Sequence, residues 1–592
     1  MTPKYSNLLE KALKYHSAGD IYRAHDLYSE ILILEPNNLI ALVNQGSIFI
    51  DLMLFERAIR NLKMALFISP NDVDALNNYG NALEKLGDTE KAFDCFNQAL
   101  RLDKENQTVA KNLIVMLLRQ SDYNLAYEKL DQQIKLNPKN IIFKLLKALS
   151  LPIIAESNNI LNKARHRQKI AIYDLNRVEV QLSDPLTSIG ITNFFSAYQN
   201  KNDKSHQVQL ATVYRRICPS LTYSAPHLNK NRTSKKIRIG FISMCFGNHT
   251  ITKLNRVLIK GLNKNKFDVF MFCPGVNQKN KKYLIDEFKS HIKDIYFPAP
   301  TLNETKGIIA NKTLDILYYT DIGMEPLTYF LAFSKLASNQ CVTWGHPITS
   351  GISTIDYFIS SELCEPENAQ EHYSEKLVRL PYFSVDYRPT LTETKKIRFN
   401  FKLATSKNIY FCPQSLFKFH PDFDKIMAEI LRKDKNGAII LISGQNPKWK
   451  NKLIKRFNIK IPDVSSRIHF LPRLSQEEYF AALSESDIIL DTIYFGGGNT
   501  SYEAFAMSKI VVTLPGKFLR GRLTLGLYKK MSIIEPIANT TSQFIKLACY
   551  YGKNKKARQR LEDKIKAKNS ILFNSNDALN AHEKFFQKIC LK

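Results

Sequence analysis

The stretch from Asp487 to Gly516, DIILDTIYFGGGNTSYEAFAMSKIVVTLPG, carries the residues best suited to chemistry. The apolar run Asp487 to Asp491 predicts a short strand. Gly496, Gly497 and Gly498 follow, and without side chains they let backbone amides approach a ligand closely. Thr500-Ser501-Tyr502-Glu503 then opens a predicted helix. Thr500 stands at its N-cap, with Glu503 three residues on as the partner in a capping box. Ile510 to Leu514 predicts the next strand, closed by Pro515-Gly516. A glycine loop feeding a helix N-terminus at the carboxyl end of a parallel strand is a place for an anionic phosphate. The spacing is neither G-x-G-x-x-G nor the P-loop, which argues against a dinucleotide oxidoreductase and a P-loop NTPase.

Such a loop needs a parallel sheet to hold it. NIYFCPQSLFKFHPDF reads as strand then loop, with Pro421 at a helix start, and AIILISG, RIHFLP, DIILD and IVVTLP read as further strands. A similar alternation begins at Ile237: KIRIGFIS, FDVFMFCPG, LDILYYTDIG, QCVTWGHP and IDYFISSE predict five strands separated by helical segments. Alternating strands and helices predict doubly wound parallel sheets. Two Rossmann-like lobes are expected, at 236–390 and 391–552, with the polar passage Tyr387 to Lys407 crossing between them. A nucleotide should lie in the cleft at their carboxyl edges. Lys553 to Lys592 reads as basic helices packed outside.

Upstream, residues 5–140 are a repeat array. Ala24, Ala58, Ala92 and Ala126 are 34 residues apart, and Pro36, Pro70 and Pro138 keep the same grid, with Lys104 in the missing slot. Gly46 and Gly80 keep the step too. This periodicity resembles the tetratricopeptide repeat, four copies of two antiparallel helices. Such arrays stack into an α-solenoid whose concave face binds extended peptides; a rigid spacer or dimerisation arm is the plainer alternative. Residues 141–235 read as an irregular helical connector ending in the polar linker Asn229 to Lys236.

Composition sets outer limits. The 592 residues suffice for about three or four domains at roughly 150 residues each. The net charge of +29 comes without a dense Lys/Arg block, so it reads as lysine spread over solvated faces rather than as a specific nucleic-acid surface. Nine scattered cysteines include no C-x-x-C, which fits a reducing compartment and argues against a zinc site. No apolar run is long enough for a membrane span, and the N-terminus lacks a signal-peptide core, so a cytoplasmic protein is expected.

Four tetratricopeptide repeats followed by two Rossmann-like lobes, with FGNHTITKL, TWGHPITSG, CPQSLFKFHP and FGGGNTSYEA in that order, resemble the O-GlcNAc transferase/SPINDLY family of glycosyltransferases. That group includes the bacterial cytoplasmic N-glucosyltransferases. The resemblance covers nearly the whole chain. It implies a GT-B fold, a UDP-sugar donor as co-substrate, inversion at the anomeric carbon, no metal or other cofactor, and a protein side chain as acceptor.

The chemistry agrees. Inverting transfer needs a base for the incoming group and stabilisation of the leaving diphosphate. The chain's Asp72-Val73-Asp74 lies in the repeats at a helix start and reads as structural, which leaves cations and helix amides to neutralise UDP. By resemblance, Lys418 contacts the diphosphate; Gln414 and Ser415 share its loop, and Gln414, which falls within one position of the family's glutamine, is expected to contact the base or phosphate. Gly497, Gly498, Asn499 and Thr500 offer amides and a hydroxyl to the same diphosphate. Glu503 matches the acidic residue that holds the ribose hydroxyls, in competition with its capping role. His249, just after the first strand of its lobe, titrates near neutral pH and is the candidate base; orienting acceptor and sugar, or capping its helix, are the alternatives. His346 lines the same edge, either touching acceptor or sugar or serving as a loop histidine shaped by Pro347.

Two departures bear on the donor. O-GlcNAc transferases carry a second histidine where Lys253 stands, and a histidine where Gly498 stands, so glucose or another hexose competes with GlcNAc. The expected activity is transfer of one sugar from a UDP donor onto Ser/Thr of a protein threaded along the repeats. The alternatives are transfer to Asn, as in the N-glucosyltransferases, and a non-catalytic adaptor built on a decayed transferase.

Overall fold

The computed structural model describes residues 3–230, 234–383, 385, 387, 399, 401, 408–444, 446–573 and 576–590. The chain divides into two compact units, Met1–Phe143 and Lys144–Lys592.

The first unit contains four helical hairpins between Pro3 and Leu136. The repeat positions explain why. Ala24, Ala58, Ala92 and Ala126 are fully buried where the helices of each hairpin meet. A Cβ added at Gly46 would stand 2.8 Å from Leu62, and one at Gly80 would stand 2.9 Å from Phe96, so the small residue lets the two backbones close. Asn38, Asp72 and Asn106, again one repeat apart, each cap a helix by accepting from the amide three residues on. Asp72 is therefore a helix cap, and Asp72-Val73-Asp74 is structural.

The second unit opens with the connector helices Asn158–Leu175 and Lys204–Ile217, separated by a short 3-10 turn at Phe194–Tyr198. Two parallel sheets follow. The first has seven strands: β1 (Ile237–Ile242), β2 (Phe267–Phe272), β3 (Asp294–Tyr296), β4 (Leu314–Tyr319), β5 (Ala337–Thr343), β6 (Tyr357–Ser361) and β7 (Lys376–Leu380), in the order β3-β2-β1-β4-β5-β6-β7. The second has five: β8 (Asn408–Cys412), β9 (Gly437–Ile442), β10 (Ile468–Leu471), β11 (Ile488–Leu490) and β12 (Val511–Val512), in the order β10-β9-β8-β11-β12. Every apolar run expected as a strand forms one. The two strands not expected, β3 and β7, are the sheet's edges, and their half-exposed residues break the apolar pattern. Most of the Tyr387 to Lys407 crossover, and the centre of the Asn229 to Lys236 linker, lie outside the described residues.

The chain reverses its strand order beside β1 and beside β8, between β1 and β4 in one sheet and between β8 and β11 in the other. Loops leaving the carboxyl ends of strands at such switch points diverge and leave a crevice, where open α/β sheets bind ligands.

The tail past Lys553 is more than an outer layer. Its last helix, Asp577–Cys590, returns to the first lobe, where Phe586 is fully buried in the core formed by Ile237, Phe267 and Tyr318. Among the described residues, no helix is long and apolar enough to cross a membrane.

Candidate active site

Two loops meet at the switch point of the second lobe. One follows β8 and carries Gln414, Ser415 and Lys418. The other follows β11 and carries the three glycines. Their side chains knit them together. The Lys418 ammonium donates to the Gly496 carbonyl at 3.0 Å and to Gln414 Oε1 at 2.7 Å. The Gln414 amide in turn donates to Thr500 Oγ1 at 2.7 Å. Lys418 also sits over the Phe495 ring, 4.8 Å from its centroid. Burial lowers the Lys418 pKa from its ordinary value to about 8, against the opposing charge of Asp491. Gln414 is buried and acts as a strut between lysine and helix tip. Ser415 is exposed and offers only its carbonyl to this framework, as acceptor for the Lys418 amide.

The helix after the glycines spans Asn499–Ala506 and its N-cap is Gly498, without a side-chain cap. The expected capping box at Thr500 and Glu503 is thereby corrected: Thr500 lies inside the first turn, and its hydroxyl accepts from Gln414 instead. The Ser501 amide turns back onto the Gly498 carbonyl at 3.0 Å. The amides of Gly498, Asn499 and Thr500 are left as the orphan donors of a helix start. Gly497 does not add to them, because its amide donates to Asp491 Oδ1 at 2.6 Å. Gly497 has a different task. A Cβ there would stand 2.4 Å from Ser501 Oγ and 2.6 Å from Thr500 Oγ1, so only glycine lets the loop pass so close to the helix.

Sequence reasoning missed Asp491, Tyr494 and Phe495. Asp491 directly follows β11 and is buried, accepting from the Gly497 amide and from Thr513 Oγ1 at 2.8 Å. A carboxylate at the end of an apolar strand, five residues before the glycines, was the available signal. Tyr494 has φ 72°, rare for a residue with a side chain. Its hydroxyl donates to Asp422 Oδ2 at 2.9 Å, which fixes the turn and sets Phe495 under Lys418.

Glu503 lies one turn along the helix, half-buried, accepting from the Tyr387 hydroxyl at 2.7 Å. Burial raises its pKa, while hydrogen bonding and the Lys253 ammonium oppose that rise.

The first lobe faces this site with the helix Thr250–Gly261, whose N-cap is His249. The two helix starts touch, with Asn499 Nδ2 donating to Thr250 Oγ1 at 3.0 Å. The His249 ring accepts from the Ile251 amide through Nδ1 at 3.2 Å. With Nδ1 so engaged, the neutral ring carries its proton on Nε2 and presents a donor rather than a lone pair. Loss of solvent, and then the nearby Lys253 charge, lower its pKa and keep it neutral.

His346 does not line the open edge as expected. It is 2% exposed, with its ring stacked on Phe194 at 4.9 Å, and burial lowers its pKa to about 3. The reason is the connector turn at Phe194–Tyr198, which lies over it and continues as an aromatic cluster onto the lysine loop. Tyr198 stacks on Phe495 at 4.4 Å and meets Phe417 at 4.7 Å. Nothing in the periodicity of the connector signalled that contact.

The arrangement gathers a half-buried cation, three free amides and a hydroxyl around one point, which suits a diphosphate. The sequence signature of glycosyl transferase family 41 matches residues 205–397 and 392–580. The chain belongs to glycosyl transferase family 41. A tetratricopeptide repeat signature matches residues 73–106. The chain is 25% identical over 347 residues to the probable UDP-N-acetylglucosamine–peptide N-acetylglucosaminyltransferase SEC of Arabidopsis thaliana, covering 56% of this chain and 35% of that one. It is 21% identical over 342 residues to the UDP-glucose:protein N-beta-glucosyltransferase of Actinobacillus pleuropneumoniae serotype 5b (strain L20), covering 57% of this chain and 54% of that one. The chain thus spans about a third to a half of the length of these relatives. Among solved structures, an O-GlcNAc transferase mutant of Thermobaculum terrenum superposes with a TM-score of 0.57 at 19% identity, covering 99% of this chain and 98% of that one. That likeness supports the two-sheet GT-B fold after a repeat array.

Proposed function

We propose that this family 41 chain transfers a sugar from a UDP-sugar to a protein side chain, with inversion and without a metal. The observation that carries the reading is the position of Lys418, whose ammonium donates to the glycine loop at Gly496, beside the orphan amides of the Asn499–Ala506 helix. Charge on the leaving diphosphate would be met by the lysine, those amides and the Thr500 hydroxyl, a preorganised set of donors in a partly desolvated site. Glu503 is proposed to accept from the ribose hydroxyls. The donor sugar is GlcNAc or a hexose. A Cβ at Gly498 would meet only Leu523 and Trp344, at 3.5 and 3.8 Å, so the position where O-GlcNAc transferases carry a histidine has space around it.

Ser/Thr is proposed as the acceptor, presented by the repeat array in a cytoplasmic setting. The similarity to a relative named as a UDP-glucose:protein N-beta-glucosyltransferase keeps Asn as the second reading. Co-expression of the chain with candidate acceptors, read by intact-mass spectrometry, tests both: an added hexose or N-acetylhexosamine supports transfer, and its site separates Ser/Thr from Asn. UDP release without acceptor modification, or no thermal stabilisation by millimolar UDP, goes against the reading.

The Ile251–His249 hydrogen bond supports an orienting part for His249, with Nε2–H donating to sugar or acceptor oxygen. His249→Gln, which keeps an N–H donor, is expected to retain several-fold more activity than His249→Ala, with the pH profile of kcat/KM unchanged on its acid side. Equal loss in both variants, with disappearance of an acid limb, would return His249 to the role of general base.

A further inference from the structure

The first-lobe helix Thr250–Gly261 meets the second-lobe helix Asn499–Ala506 start to start, through the Asn499–Thr250 hydrogen bond. One turn along each helix, on the face that carries this contact, stand Lys253 and Glu503. Residues three and four apart share a helix face, so both side chains project toward the same space behind the contact. They sense each other, since the Lys253 charge favours ionised Glu503. Yet the Lys253 side chain makes no hydrogen bond or ion pair with any described residue; its backbone amide donates to the His249 carbonyl. Glu503 accepts from the Tyr387 hydroxyl and lies beside the Tyr479 hydroxyl, and its two carboxylate oxygens have lone pairs for a further donor. A carboxylate acceptor and an ammonium donor thus stand on corresponding turns of the two touching helices without an ion pair between them.

Vicinal hydroxyls fit between such groups. One hydroxyl donates to the carboxylate, while the oxygen of its neighbour accepts from the ammonium. We propose that Lys253 is a specificity-determining residue for the donor nucleotide, the second jaw of a clamp on the ribose diol whose first jaw is Glu503. The proposal rests on the reading of Glu503 as the ribose acceptor. Because the jaws come from different lobes, the diol ties the lobes together, and recognition of a ribonucleotide assembles His249 over the sugar site. A deoxyribonucleotide leaves one jaw empty.

The test is titration calorimetry of the full chain with UDP, 2′-deoxy-UDP and 3′-deoxy-UDP. Wild-type protein is expected to bind UDP about tenfold or more tightly than at least one of the deoxy analogues, the scale of a hydrogen bond to a charged group. Lys253→Met is expected to weaken UDP binding about tenfold while hardly changing that analogue, so that the preference collapses toward one. Lys253→Arg, which keeps a charged donor, should restore most of it. A Lys253→Met variant with the wild-type preference overturns the clamp, as does wild-type protein that binds UDP without preference. Wild-type protein that binds none of the three overturns the donor-site reading itself, and the clamp with it. A circular-dichroism melt coincident with wild type establishes that each variant is folded.

Discussion

Lys418→Ala is expected to lower sugar transfer by about 100- to 1,000-fold in kcat, the cost of removing one preorganised charge-stabilising donor. The folded state should survive, because the lysine is only half-buried and the loops keep the Gln414–Thr500 bond at 2.7 Å. Steady-state UDP release and a thermal melt read the two effects separately. The same residue sets a pH dependence. Burial holds the free-protein pKa of Lys418 at about 8, below its ordinary value. UDP binds the charged form, so affinity is full below pH 8. Above it, the apparent Kd rises about tenfold per pH unit until the pKa of the complex is reached. Lys418→Arg, charged throughout, should flatten the profile even where its different shape weakens binding. Calorimetry between pH 6.5 and 9.5 checks this, and a wild-type profile flat across that range removes Lys418 as the titrating group.

The sheets and the repeats were legible in the sequence because both rest on periodic burial. The 34-residue step of Ala24 to Ala126 and the apolar runs of the inner strands leave little freedom of assignment. Edge strands β3 and β7 escaped notice because an edge need bury only part of its residues. The site was legible where it follows from strand order: the loops after β8 and β11 meet because those strands are neighbours, and Lys418 arrives at the glycines for that reason. What failed depended on which partner a side chain chooses. Thr500 could cap its helix or take Gln414, and local spacing favoured the first while the neighbouring loop supplied the second. His346 was assigned by its neighbours in the chain, but the connector turn that covers it lies about 150 residues upstream, and no local pattern encodes such a contact.

Asp491→Asn is the second change expected to reach both stability and chemistry. The carboxylate accepts from the Gly497 amide and the Thr513 hydroxyl at once. An isosteric amide keeps one acceptor oxygen for the Gly497 amide and can donate its N–H₂ to Thr513 Oγ1, so two charge-assisted hydrogen bonds become neutral ones at a cost of about 1–2 kcal/mol. Denaturant unfolding should show that loss, and a loosened Gly497 should let the glycine loop drift from the lysine. The electrostatic consequence is separable. Asp491 is the first opposing charge that keeps the Lys418 pKa from falling further. Without it, the opposition to burial is weaker and the midpoint of the UDP-binding profile should move to lower pH than in wild type. Activity of Asp491→Asn should therefore recover in part when the assay is taken from pH 8 to pH 6.5, whereas a loop that is merely displaced would be equally poor at both. An unshifted midpoint together with a full loss of activity would assign Asp491 to holding the loop alone.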